Sequence, residues 1–334
     1  VQLGLALPQY DFSVPGQPRL EWPTVVDWAR RAEAAGFDSL WLSDHLVWAI
    51  DRYGGPPGNF EGYDPLPTLA ALARATTTTR LGTLVLAAPL RPPTVLAKAL
   101  TSIDRVSHGR LDVGLGAGYF PPDFQLAGLP LEPPRTRLER LAEATDVLRG
   151  CFVTAPNKPF DHRGQFYRAT NLRNLPGPVQ QPSPPIIYGG KGPRLVETAA
   201  AHADGWNTCW QWTPEDYAPR AEHARRALET NHRDPNDFAL SLGLYTLVGE
   251  DEADLRRRFE RLQQRSPPGV LDGVTLADYR HGRLVGTVEQ VREQVAQWEA
   301  LGVTLLIACL GAVPFSVSDP DDLAPVAAAV SRST

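Results

Sequence analysis

Short apolar runs alternate along the chain with longer segments of helical spacing. Eight runs read as strands: Leu3 to Leu7, Ser39 to Ser43, Leu81 to Ala87, Leu111 to Leu115, Pro185 to Tyr188, Gly205 to Cys209, Leu240 to Val248 and Thr304 to Leu310. The segments between them carry one apolar face and end on breakers. Val25, Trp28, Ala29 and Ala32 share a stripe that Gly36 stops, and Leu96, Ala99, Leu100 and Ile103 form another ahead of Gly109. Thr287 with Gln290 reads as a capping box before Val288, Val291, Val295 and Trp298, and Gly302 closes that helix. Thr213-Pro214-Glu215-Asp216 is a helix start, with a capping hydroxyl, a first-turn proline and acids suited to the dipole.

Eight strand-then-helix units most simply close into an α/β (β/α)8 barrel, so residues 1–334 are expected to form one domain. An open doubly wound sheet would favour a G-x-G-x-x-G turn after the first strand. None occurs, and Gly114-Leu115-Gly116-Ala117-Gly118 has the wrong spacing. Three stretches exceed ordinary loops, near residues 48–63, 154–184 and 266–286. The first holds Trp48, Tyr53, Phe60 and Tyr63 and is expected to line or cover the barrel mouth. The second has room for a small hairpin, and the third reads equally as a lid or a surface insertion.

Composition narrows the function. A chain of 334 residues, 43% hydrophobic, with net charge −5, offers no basic surface for nucleic acid or an anionic membrane. No apolar stretch nears the roughly 20 residues of a membrane span, and no basic segment followed by an apolar run opens the chain, so a cytoplasmic protein is expected. Three scattered cysteines, Cys151, Cys209 and Cys309, fit a reducing compartment and read as packing residues. No methionine occurs, so the initiator residue is expected to have been lost. The seven histidines show no H-x-H or H-E-x-x-H spacing, and no metal site is expected. No G-x-S-x-G elbow is present for nucleophilic hydrolysis.

Candidate chemistry lies at the strand ends. Pro185-Ile186-Ile187-Tyr188 runs into Gly189-Gly190-Lys191-Gly192 and a helix opened by Pro193. Glycines admit close backbone approach, a helix N-terminus carries unpaired N–H donors, and Lys191 adds a charge, so the stretch reads as a phosphate cradle or as a plain glycine-rich turn. In a barrel the strand tips ring one opening, which gathers Asp44 and His45, Leu84 to Ala88, Gly116 to Tyr119, Gly189 to Gly192 and Thr208 to Trp210. Histidine as a residue type can serve as acid or base and Asp44 is adjacent to His45, so the pair reads as acid–base machinery or a ligand for a polar ring, or else as a loop cap beside a packed ring. Trp48, Tyr119, Trp206 and Trp210 could border a flat ring, although aromatics at strand ends are more often core.

These residues resemble the bacterial luciferase-like flavin-dependent oxidoreductases. The motifs in order are Ala32-Glu33-Ala34-Ala35-Gly36-Phe37-Asp38-Ser39 with Ser43-Asp44-His45, Arg80-Leu81-Gly82-Thr83, Ser107-His108-Gly109-Arg110 with Gly114 to Gly118, and Gly189 to Gly192 with Ala203-Asp204-Gly205-Trp206. Ser-Asp-His and the glycine cradle make the chain similar to the branch using coenzyme F420, an 8-hydroxy-5-deazaflavin. The resemblance implies Asp44 and His45 at the ring or substrate, Ala117 and Gly118 touching the cofactor through backbone, and Gly189, Gly190, Lys191 and Gly192 holding its phosphate. It also implies a non-prolyl cis peptide at Leu84-Val85, forming a bulge under the ring, and a homodimer.

One departure stands out. The family's sugar-phosphate dehydrogenases place a glutamate after the glycines of the fourth strand, where this chain has Tyr119, which could donate a hydrogen bond to a substrate. Asp123 follows nearby without a sequence signal for its direction. The expected function is reversible hydride transfer between the deazaflavin and a small organic substrate, with His45 as acid or base and Asp44 as its orienter or a ring ligand. The alternatives are an FMN-dependent monooxygenase on the same barrel and a non-catalytic flavin-binding barrel.

Overall fold

The computed structural model describes residues 1–330. Eight parallel strands close on themselves: β1 (Gln2–Ala6), β2 (Ser39–Leu42), β3 (Arg80–Thr83), β4 (Leu111–Gly116), β5 (Ile186–Gly189), β6 (Gly205–Trp210), β7 (Ala239–Gly249) and β8 (Leu305–Cys309). Each pairs with the next, and β8 pairs with β1 through Leu3↔Leu306 and Gly4↔Ile307. The barrel expected from the pattern is therefore present. Helices such as Trp22–Ala34, Pro93–Val106 and Val288–Ala300 cover it and bury the predicted stripes, except that Ala99 and Val288 are half-buried. The Thr287–Gln290 capping box forms, and Thr213 caps the helix Pro214–Thr230. Among the described residues no helix is long and apolar enough to cross a membrane.

Several motif residues stitch the end of the barrel opposite the strand tips. Asp38 accepts the Leu3 N–H at 2.7 Å, Arg80 forks onto Asp112, and Arg110 reaches the carbonyls of Ala73 and Thr79. Asp204 accepts the Ile186 N–H at 2.8 Å. Burial alone would raise the Glu33 carboxyl, but the backbone N–H groups of Thr77, Thr78 and Thr79 hold it down at about 2.

The apolar run from Leu81 to Ala87 is not one strand. β3 stops at Thr83, a cis peptide joins Leu84 to Val85 as the resemblance implied, and Leu86–Ala87 resumes pairing with β4. A second non-prolyl cis bond, Cys209-Trp210, ends β6. The displaced Val85 sits in a notch of glycines. A Cβ at Gly116 would meet Val85 Cγ2 at 2.8 Å, one at Gly189 would meet its Cγ1 at 2.6 Å, and one at Gly114 would fall on the Thr83 carbonyl as well as on Val85. Glycine is required there by close approach.

The insertions carry structure of their own. Trp48–Ala49 pairs with Asn59–Phe60, and Phe160–Arg163 pairs with Arg168–Leu172 as the expected hairpin. The third stretch forms the helix Leu276–Arg280 and the strand Leu284–Thr287, which extends the barrel sheet beside β7.

Candidate active site

A cavity of about 990 Å³ opens at the C-terminal ends of the strands. The residues expected to act on substrate or hold the cofactor all line it, namely Asp44, His45, Leu84, Val85, Ala117, Gly118, Tyr119, Gly189, Gly190, Lys191 and Gly192, whereas Ala88, also expected at the opening, does not. The tip after Tyr188 and the tip carrying His45 thus face one space. Of the four aromatics expected there, Trp48, Tyr119 and Trp210 line it. Trp206 does not, because its ring is fully buried against Tyr217 and its Nε1–H donates to the Gly190 carbonyl. The third insertion reaches the wall through Val270, Leu271 and Arg283, so it is more than a surface excursion.

The tip of β2 is held from below. The Gln9 side chain donates to the Ser43 carbonyl at 2.7 Å and accepts its N–H at 2.8 Å, while Tyr10 and Ser43 share a hydroxyl hydrogen bond. The two residues that follow then diverge. Asp44 is buried, and its Oδ2 accepts from Arg91 Nη1 at 2.6 Å and from the Ala87 N–H at 2.9 Å. Burial lifts its carboxyl above the usual range, with Arg91 and the Ala87 N–H opposing that rise. Asp44 therefore anchors the segment after the Leu84-Val85 bond, and it does not orient His45.

That role falls to Asp123. The carboxylate stands on the short helix Pro121–Leu126 after β4, is buried, and lies 2.6 Å from His45 Nδ1 while its other oxygen accepts the Leu46 N–H at 2.9 Å. The imidazole is wedged among Trp48, Phe120 and Tyr119 at centroid distances of 4.3, 5.4 and 5.7 Å. With Nδ1–H given to a carboxylate, Nε2 is the ring nitrogen left to exchange a proton. Tyr119 stands at the rim, 56% exposed.

The glycine cradle is narrower than its sequence suggests. The Gly190 N–H is spent on the Asn207 carbonyl, and Gly189 is shaped by Val85. Among the described residues no acceptor stands against the backbone N–H groups of Lys191 and Gly192. A Cβ at Gly192 would meet nothing within 4 Å, so this N-cap of the helix Pro193–His202 faces open space. Two donors, a helix N-terminus and the Lys191 ammonium are what an anion needs. Across the cavity, Arg137 bonds the Gly118 carbonyl and fixes the Ala117–Gly118 turn. The lining holds Arg52, Arg137, Lys191, Arg194 and Arg283 against Asp44 and Asp123, a positive pocket in a chain of net charge −5. Cys209 also lines the cavity, but burial pushes its thiol up to about 12, so it is not a nucleophile near neutral pH. Cys151 and Cys309 are buried packing residues.

Asp123, Arg52, Arg137 and Arg283 were not among the expected site residues. Asp123 had one faint signal, its place just beyond a predicted strand tip.

The chain matches the luciferase-like monooxygenase family over residues 2–305 and belongs to that family of flavin-type oxidoreductases. An F420-dependent hydroxymycolic acid dehydrogenase of Mycobacterium tuberculosis is 27% identical over 308 residues, covering 89% of this chain and 79% of the relative. An FMNH2-dependent dimethylsulfone monooxygenase of Pseudomonas fluorescens is 23% identical over 323 residues, covering 87% and 84%. With an uncharacterized protein of Mycobacterium tuberculosis the match is 31% over 188 residues, which spans 53% of this chain and 62% of that one. The structure of an F420-dependent secondary alcohol dehydrogenase with an F420-acetone adduct superposes with a TM-score of 0.76 over 99% of both chains at 18% identity, a likeness of fold.

Proposed function

We propose that the protein is a coenzyme F420-dependent oxidoreductase acting on a small organic alcohol and its carbonyl. The observation that carries this reading is the His45 imidazole held at 2.6 Å by Asp123 inside a cavity that also contains an anion cradle. An alcohol losing a hydride from carbon must also lose its hydroxyl proton. His45 Nε2 takes that proton while Asp123 steadies the charged ring, and in the reverse direction Nε2 returns it to the carbonyl oxygen. A non-catalytic barrel would have no use for such a pair.

The residues present fit the cofactor. Lys191 and the Lys191 and Gly192 N–H groups would hold its phosphate, and Leu84, Val85 and the Ala117–Gly118 backbone would border its ring. When bound, a 5-deazaflavin supplies a carbon centre that gives or accepts a hydride and reacts poorly with oxygen. Leu84, Val85, Trp210 and Phe315 form an apolar part of the cavity wall that would help to exclude water once the ring is bound. Tyr119 would donate a hydrogen bond to the substrate from the rim.

The same cradle suits the phosphate of FMN, and the sulfone monooxygenase relative is named as FMNH2-dependent, so an FMN-dependent monooxygenase is the second reading. Fluorescence titration separates the two. The deazaflavin is expected to bind at least roughly tenfold tighter than FMN, and Lys191→Ala to weaken it by roughly tenfold, as loss of one charge-assisted contact does. Tight binding of FMN alone would overturn the cofactor assignment.

A further inference from the structure

The mouth of the cavity holds a cation that meets phenol oxygens but no carboxylate. Arg52 sits on the turn Asp51–Tyr53 of the first insertion, its guanidinium 4.5 Å from the Trp48 ring centroid and 4.9 Å from that of Tyr53. Its side chain meets phenols, with Nη2 at 3.4 Å from Tyr119 Oη, and among the described residues no carboxylate lies within ion-pair distance of it. Arg91 is neutralised by Asp44 and Asp64, Arg80 by Asp112 and Arg140 by Glu132, whereas Arg137 and Arg283 in the same lining are held by backbone carbonyls. Trp48 Nε1 is buried and also lacks an acceptor. The indole of Trp48 separates the two chemical functions, with His45 packed at 4.3 Å and Arg52 at 4.5 Å.

Stacking on aromatic faces fixes the plane of a guanidinium and leaves its N–H edge free, a two-pronged geometry that matches a carboxylate. A cation without a carboxylate partner, packed on the same Trp48 ring as His45, defines what the ligand brings. We propose that Arg52 is a specificity-determining residue, and that the substrate is a small organic carboxylate whose acid group pairs with Arg52 while its hydroxyl or carbonyl reaches His45. The assignment rests on the site described under the proposed function, but not on the identity of the cofactor. A single fork suits a carboxylate, whereas the cofactor's phosphate would have its own cradle at Lys191 and Gly192.

The test uses benzoate and its neutral isostere benzamide as probes, titrated calorimetrically into the full chain with the deazaflavin present and without it. Benzoate is expected to bind roughly tenfold or more tightly than benzamide. Arg52→Gln should erase that preference and Arg52→Lys should keep part of it, both with unchanged melting temperature and deazaflavin affinity, because Arg52 is exposed at the rim. Equal binding of the two probes overturns the proposal. So does a benzoate preference that survives Arg52→Gln, or one lost instead in Arg283→Gln or Lys191→Ala with Arg52 intact. If the preference follows Arg52 while no deazaflavin binds, the carboxylate site stands and the cofactor assignment falls.

Discussion

Replacing His45 by alanine is expected to lower kcat by about 10²- to 10⁴-fold, the range that a positioned acid–base group contributes, while changing deazaflavin affinity by less than about twofold. The split follows from position. His45 is wedged between Trp48, Phe120 and Tyr119 with Nδ1 on Asp123, whereas the proposed phosphate cradle lies on another strand tip, at Lys191 and Gly192. Added imidazole should restore part of the activity of His45→Ala, because the substitution leaves a ring-sized space beside the Asp123 carboxylate. Asp123→Asn should also lower kcat without weakening the cofactor, but imidazole should not rescue it, since His45 still fills its site. In the proposed reaction Asp123 thus acts as a positioning residue. Turnover is read as bleaching or recovery of the deazaflavin chromophore. Wild-type kcat in His45→Ala would remove His45 from the reaction.

The largest effect on stability is expected at Gly114. A methyl group there falls on the Thr83 carbonyl and against Val85, and neither the strand backbone nor the bulge can move without opening the β3–β4 seam. Gly114→Ala should cost about 3 kcal/mol, the upper end of overpacking penalties, and should reduce soluble yield. Gly192→Ala makes the same chemical change where a Cβ meets nothing within 4 Å and the backbone has φ −75°, so its melting temperature should match the wild type. Equal melting temperatures for Gly114→Ala and Gly192→Ala would show that the notch around Val85 is not tightly packed.

The parts that were legible in sequence are those written in local pattern. The apolar runs foretold the barrel strands to within a few residues, because a parallel strand buried on both sides has a continuous apolar signature. The barrel rule then placed their tips together, which is why Asp44, His45, Tyr119 and the glycines all line one cavity. What the sequence hid depends on contacts across the fold. His45 finds Asp123 and Asp44 finds Arg91 only when separate strand tips are brought together, and adjacency along the chain wrongly suggested that Asp44 and His45 act as a pair. The glycines misled in the same way. Gly189 reads as room for an anion, yet its missing side chain makes room for Val85, and the Gly190 N–H is already bonded to Asn207. Trp206 carries the signature of a mouth aromatic but points into the core, because side chains along a strand alternate in direction. The break within Leu81 to Ala87 left no trace in composition, and only the family resemblance signalled it.

The most direct test is a crystal structure of the full chain with the deazaflavin bound. It should show the phosphate within hydrogen-bond distance of the Lys191 and Gly192 N–H groups, and the ring resting on Val85 on the same side of the cavity as His45. A phosphate bound elsewhere, or a ring that leaves His45 outside the reaction space, would contradict the account.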